Sequence, residues 1–272
     1  KLYSKYLSNI SMERIQEVFF KIMLSEEPSI GLRLLKDTGA LEVFLPELLD
    51  AVGFNQHNQH HEMDVFEHTM CVIDAVEPIL HLRLAALFHD IGKPHTLTID
   101  EKGVGHFYGH DKLGAQMAKD ILKRLKASND IIYKVSLLID RHMTQHENLK
   151  EKGIKKLLAA MGEEEIFTLL KLQKADRLCS NRDANIDDLI EREEKIKKII
   201  ENKEPYSVKH LAINGDDLIN LGFSQGRIIG EILNYLLKKV IENPELNERE
   251  KLIEIVKENF KTVNIVKFVK GD

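Results

Sequence analysis

The chain has 272 residues, 43% hydrophobic and 31% charged, with a formal net charge of -5. That length can bury a core in one large domain or two to three small ones. The acidic balance argues against a uniformly basic nucleic-acid surface, and no apolar run approaches the roughly 20 residues of a membrane-spanning helix.

Along the chain, nearly every segment is expected to be helical. The stretch from Ser11 to about residue 26 places Ile15, Val18, Phe19, Ile22 and Met23 on one stripe behind a serine N-cap. Pro28 suits the first turn of a second helix that Gly39 ends, and Pro46 stops a short apolar turn at 41–45. Helices are predicted next over about 64–76 and 81–90. The run from His95 to Ile99 and the run from Val104 to Tyr108, separated by a Gly-containing turn, predict one small β-hairpin.

Helical periodicity resumes at about 111–126, 130–143, 152–161, 163–179 and 186–202. Glu204-Pro-Tyr-Ser marks a boundary, beyond which helices are predicted over about 226–243 and 248–260. The fold class is therefore all-α: a helical bundle flanked by N-terminal and C-terminal helical segments, with one hairpin. Lysines cluster at 150–156, at 195–209 and towards Lys270, mostly among glutamates, as solvated helix faces do. Cys71 and Cys179 are expected to be separate buried thiols of a cytoplasmic protein, with no signal peptide ahead of them. Lys1 stands where an initiator methionine is expected, which suggests a piece of a longer polypeptide.

The histidines carry the functional signal. Eleven of the twelve fall between His57 and His146. His89-Asp90 closes an apolar helical run and is followed by Ile-Gly-Lys-Pro; His68 lies upstream in Asp-Val-Phe-Glu-His-Thr, and His110, His142 and Asp176 lie downstream. A first ion would take His68, His89, Asp90 and Asp176. His110 and His142 would hold a second, with Asp90 as the bridge, because a carboxylate has two oxygens to share. Such a pair of cations suits in-line phosphoryl displacement and lowers the pKa of water, so no separate protein base is required. Four imidazoles favour a divalent transition metal (manganese, iron, cobalt, nickel or zinc) over magnesium.

Lys93 and Arg177 are candidates to offset charge on the phosphoryl oxygens. Arg141, Arg177 and Asp111 adjoin expected ligands, but surface ion pairs for the two arginines and a helix-start carboxylate for Asp111 are the simpler readings. His57, His60 and His61 are expected in a solvated loop. His81 is assigned no ligand role.

The ordered set His68, His89-Asp90, His110, His142, Asp176 resembles the HD superfamily of metal-dependent phosphohydrolases. A second resemblance covers most of the chain. Glu13-Arg-Ile-Gln-Glu-Val-Phe-Phe-Lys-Ile-Met-Leu-Ser, Pro28-Ser-Ile-Gly-Leu-Arg-Leu-Leu-Lys-Asp-Thr-Gly and Leu45-Pro-Glu-Leu are similar to the part following the catalytic head in bacterial tRNA CCA-adding enzymes and poly(A) polymerases. Ile213-Asn-Gly-Asp-Asp-Leu, Leu221-Gly-Phe and Asn247-Glu-Arg-Glu resemble the C-terminal helices of that family, some members of which carry an HD domain between these parts.

The resemblance implies a helical neck and RNA-binding segment at 1–55, an HD domain at 56–203 and a helical tail at 204–272. The polymerising head's Gly-Gly motif and Asp-x-Asp pair are absent, so nucleotide addition is not expected from this chain alone; the head would lie elsewhere in a longer chain. Two functions are implied. One is a phosphodiesterase or phosphatase acting on nucleotide or RNA and tRNA 3′-end phosphoesters. The other is an RNA-binding module whose HD site is secondary or inactive.

Overall fold

A computed structural model describes residues 4–57, 63–181 and 183–260. His60, His61 and the lysines beyond residue 260 lie outside the described residues. The chain forms two compact units, one of residues 1–147 and 163–191 and one of 148–162 and 192–272. Among the described residues the structure is all-α apart from one two-stranded sheet, and no helix is long and apolar enough to cross a membrane.

The first unit begins with a 3-10 turn and α1 (Met12–Met23), which buries Ile15, Phe19 and Met23 at four-residue spacing. α1 stops at Met23, short of residue 26, because Pro28 opens the next helix and holds Glu27 in a non-helical conformation (φ -123°, ψ 80°). α2 (Pro28–Thr38) ends as expected on Gly39, whose φ of 75° is the left-handed conformation of a helix C-terminus. α3 (Leu41–Phe44) and a 3-10 turn from Pro46 follow.

α4 (Val65–Ala75) starts at Asp64, whose carboxylate accepts the Glu67 N–H. α5 (Leu80–Phe88) is buried on every side from Leu82 to Phe88, as expected of a helix at the centre of a bundle. It packs against α4 and against α7 (Asn129–Arg141), which also packs closely on α6 (His110–Arg124).

Between α5 and α6 the hairpin forms where its sequence placed it. β1 (Thr98–Ile99) pairs antiparallel with β2 (Gly105–His106), with Thr98 opposite His106. α8 (Glu151–Ser180) is one helical run in name, but Gly162, at φ 79° and ψ 171°, breaks it into the two helices read from the sequence. α9 (Asp187–Glu201) follows.

One expectation is overturned. Cys71 on α4 and Cys179 near the end of α8 are joined as a disulfide, with Cα atoms 5.9 Å apart. The separate-thiol reading rested on their 108-residue separation and on the rarity of cytosolic disulfides. Distance along the chain did not reveal that the two helices meet, at Cys71 and Cys179 and at His68 and Asp176.

In the second unit, α10 (Gly215–Asn220), α11 (Arg227–Glu242) and α12 (Arg249–Asn259) close over Ile213, Leu218, Ile232, Leu236 and Leu252. The Asn214 side chain accepts from the N–H of Asp217 at 3.2 Å, and Asp217 returns the bond by accepting from the N–H of Asn214 at 2.8 Å. This reciprocal cap explains why Asn-Gly-Asp-Asp starts a helix. Arg249 ties α12 to it through Asp217 at 2.6 Å.

Candidate metal centre

Five helical elements of the first unit converge on one buried point. α4 supplies His68, the end of α5 supplies His89 and Asp90, the first residue of α6 is His110, His142 follows the last residue of α7, and α8 contributes Asp176. All six side chains are buried. They are brought to the interior because α4, α5 and α7 bury Leu, Ile, Val and Phe alongside them, which leaves their polar atoms to pair with one another and with Lys93 and Gln145.

The six fall into two groups, His68 with His89 and Asp176, and Asp90 with His110 and His142. In the first, His68 Nε2 lies 3.2 Å from His89 Nε2 and 3.0 Å from Asp176 Oδ1, and His89 Nε2 lies 3.6 Å from that oxygen. In the second, the Nε2 atoms of His110 and His142 are 3.2 Å apart, at 3.5 and 4.0 Å from Asp90 Oδ1. The other oxygen of Asp90, Oδ2, turns to the first group, 3.3 Å from His89 Nε2 and 3.8 Å from His68 Nε2. One carboxylate thus divides its two oxygens between the groups.

Three of the imidazoles are held the same way. His89, His110 and His142 each donate Nδ1–H to the carbonyl three residues earlier, of Ala86, Phe107 and Ile139, at 2.8, 2.7 and 2.7 Å. In the neutral form of each ring the proton sits at Nδ1, which leaves the Nε2 lone pair facing the cluster, as a ligating histidine requires.

The donor set fits divalent cations. Ligands on one ion at bonds of about 2.0–2.2 Å stand roughly 3.0–3.6 Å apart in octahedral or tetrahedral arrangement, and the spacings within the first group match.

The electrostatics of the protein alone are polarised. Burial would lower the His89 pKa, but Asp90 and Asp176 outweigh it and raise it to about 10. Burial, with His89 beside it, lowers that of His142 to about 4. Burial would raise Asp90 and Asp176, yet His89 and Lys93 hold Asp90, and His68 and His89 hold Asp176, well below the usual carboxylate range.

Asp90, His110, His142 and Asp176 line a cavity of about 470 Å³, to which His68 and His89 do not contribute. Lys93 borders it, with Nζ 2.7 Å from Asp90 Oδ2 and donating to Gln56 Oε1 at 2.9 Å. Arg177 borders it too, but its guanidinium donates to Asp188, to the Asn185 carbonyl and, at 2.9 Å, to the Gln145 carbonyl. Arg141 is drawn to Asp140 at 3.2 Å and Asp111 to Lys112 at 3.9 Å, and neither lines the cavity; nor does His57. His81 lies by Glu165 at 3.4 Å, away from the cluster.

Three residues escaped the sequence reading. Gln145 donates from Nε2 to Asp176 Oδ2 at 2.5 Å, and Gln173 donates to the His142 carbonyl at 2.9 Å and to Thr144 Oγ1 at 3.0 Å. His146 borders the cavity. A signal for Gln145 was present: it stands three residues past His142 in a 3-10 turn, where side chains three apart share a face.

Comparison with known proteins places this architecture. Residues 109–256, more than half of the chain, match the family model for tRNA nucleotidyltransferase domain 2, and residues 1–52 match one described as "Probable RNA and SrmB-binding site of polymerase A". The chain belongs to the tRNA nucleotidyltransferase and poly(A) polymerase family.

It is 32% identical to a CC-adding tRNA nucleotidyltransferase of Thermus thermophilus over 85% of this chain and 53% of that protein. It is 34% identical to an A-adding tRNA nucleotidyltransferase of Deinococcus radiodurans over 49% of this chain and 32% of the relative. A multifunctional CCA protein of Azoarcus sp. is also 34% identical, over 46% of this chain and 30% of its own length. The chain thus spans about half, or less, of the curated relatives it matches.

Proposed function

We propose that this chain is an HD-type, metal-dependent phosphohydrolase acting on nucleotide or RNA 3′-end phosphoesters, within a tRNA nucleotidyltransferase family protein. The observation that carries the reading is Asp90, buried and divided between two histidine groups, with Oδ2 at His89 and Oδ1 at His110. A carboxylate so placed suits two cations rather than one.

His68, His89, Asp90 and Asp176 would hold one divalent ion, and His110 and His142, with the second oxygen of Asp90, would hold the other; imidazole favours manganese, iron, cobalt, nickel or zinc over magnesium. When bound, the ions supply Lewis-acid neutralisation of phosphoryl charge and ready ionisation of water near neutral pH. The chain's own groups do the rest. The Nδ1 bonds aim the imidazoles. Gln145 fixes Asp176 so that Oδ1 faces the histidines. Lys93, buried beside Asp90, meets the oxygens of an entering phosphate and offsets their charge. Arg177 acts through its charge at the cavity wall while its N–H groups brace the turn bearing Gln145.

Elemental analysis of the purified chain, with assays on 2′,3′-cyclic nucleotides and 2′-nucleotides, tests this. Near two ions per chain and hydrolysis are expected. The variant Asp90→Ala is expected to lose both ions and roughly 1,000-fold or more in rate, since metal-ion catalysis is worth several kcal/mol, while its circular dichroism stays helical. Full activity in that variant defeats the reading. A second role is favoured by the match at residues 1–52: this helical segment binds RNA, which a filter-binding assay with tRNA measures.

A further inference from the structure

The cavity has a wall that phosphate chemistry does not use. It is built by β2 and the two residues that follow it. The rings of His106 and Tyr108 stack with centroids 5.6 Å apart and planes 8° from parallel. His106 is steadied from its own hairpin, with Nε2 3.1 Å from Asp100 Oδ2 and its strand position fixed opposite Thr98. Tyr108 is 78% exposed, yet it borders the cavity and stands two residues before His110. An exposed tyrosine alone carries no message. One stacked on a braced ring, bordering the cavity, is a flat ledge at a fixed distance along the chain from His110.

We infer that Tyr108, backed by His106, is the stacking platform for the nucleobase of the phosphoester that the cavity takes. The inference rests on the phosphoester reading of that cavity and adds the specificity element. The cavity, at about 470 Å³, is within the roughly 300–1,000 Å³ of small-ligand sites. With the phosphate at the Asp90, His110 and His142 group, the ligand's base extends to the rim where Tyr108 stands. Every base has a π-face, so stacking accepts a base without reading its hydrogen-bonding edge. The platform selects nucleotides over sugar phosphates and discriminates weakly among bases. A free mononucleotide and the last nucleotide of an RNA present the same chemistry to it.

The test is equilibrium dialysis of the manganese-loaded full chain with adenosine 5′-monophosphate and with ribose 5-phosphate, which differ only in the base. The nucleotide is expected to bind roughly 5- to 150-fold more tightly, as one base stacked on an aromatic side chain gives. Tyr108→Ala should erase that preference, leaving ribose 5-phosphate unchanged, and Tyr108→Phe should keep it. Equal affinity of the wild type for the two ligands, no binding of either, or a preference that survives Tyr108→Ala overturns the inference. A trinucleotide with a 3′-terminal phosphate separates the sources: tighter binding than the mononucleotide assigns an RNA end, and equal or weaker binding assigns the free nucleotide. Base-dependent binding without hydrolysis would remove the phosphohydrolase reading and leave the platform standing.

Discussion

Gln145 and Asp176 share a 2.5 Å hydrogen bond that occupies Oδ2 of the carboxylate and turns Oδ1 to His68 and His89. Gln145→Ala removes the donor without touching a cluster atom. Partners of this kind typically contribute 10- to 100-fold in metal affinity. The variant is expected to lose about that factor at the His68, His89 and Asp176 group, measured by competition with a chromophoric chelator, and to keep its helical content.

The turn after His89-Asp90 lies against the start of α6. A Cβ on Gly92 would meet the His110 carbonyl oxygen at 2.5 Å and the Gly114 nitrogen at 3.0 Å, both rigid backbone atoms. Gly92→Ala therefore pushes Asp90 and His110 apart. A stability loss of roughly 1–3 kcal/mol is expected from the overpacking, read by denaturant titration, with reduced ion content in the Asp90, His110 and His142 group. An unchanged unfolding midpoint would show that the contact relaxes freely.

Cys71 and Cys179 each stand three residues past a member of the first group, His68 and Asp176. The disulfide therefore clamps α4 to α8 one turn from the imidazole–carboxylate contact. Reduction, or the double variant Cys71→Ser/Cys179→Ser, is expected to cost about 2–4 kcal/mol of stability. It should weaken ion binding to the first group more than to the second. Equal weakening of both groups in calorimetric titration would contradict the clamp.

The chelated protein should be alkali-sensitive. His89 is raised in the folded chain to about 10, from an unfolded value of about 6.5. A raised histidine stabilises the fold fully below the unfolded value, and that contribution disappears as the pH climbs through the folded one. The lowered Asp90 and Asp176 act oppositely, losing their contribution as the pH falls below the ordinary carboxylate range. Thermal unfolding in chelator should thus show a midpoint that declines from about pH 6.5 to 10. A flat midpoint across that window would exclude a charged His89.

The six clustered side chains and the helices bearing them were legible in the sequence because each rests on local chemistry. Pro28 and Gly39 punctuate α2, and the burial of α5 shows in the unbroken apolar run from Leu84 to Phe88 that leads into His89. Even the division of Asp90 between two groups followed from a carboxylate having two oxygens. What stayed hidden depends on distant segments meeting. Cys71 finds Cys179, Gln56 finds Lys93 and Gln173 finds the His142 carbonyl; no periodicity encodes these encounters. Arg177 shows the same limit from the other side. Its place beside Asp176 allowed a phosphate clamp or an ion pair, but not the partner, Asp188, eleven residues on, that engages the guanidinium.

The carbonyl bonds of the histidines bear on the timing of ion exchange. His89 and His142 terminate α5 and α7, and His110 begins α6, so their Nδ1–H groups bond carbonyls at or beside helix ends. Helix ends are where a folded chain opens first and most often. Here an opening of the last turn of α5 or α7 and the swing of an imidazole away from the cluster are one event. On the proposed reading an ion would leave only as these end turns open, and hydrogen exchange at them should slow when the site is filled.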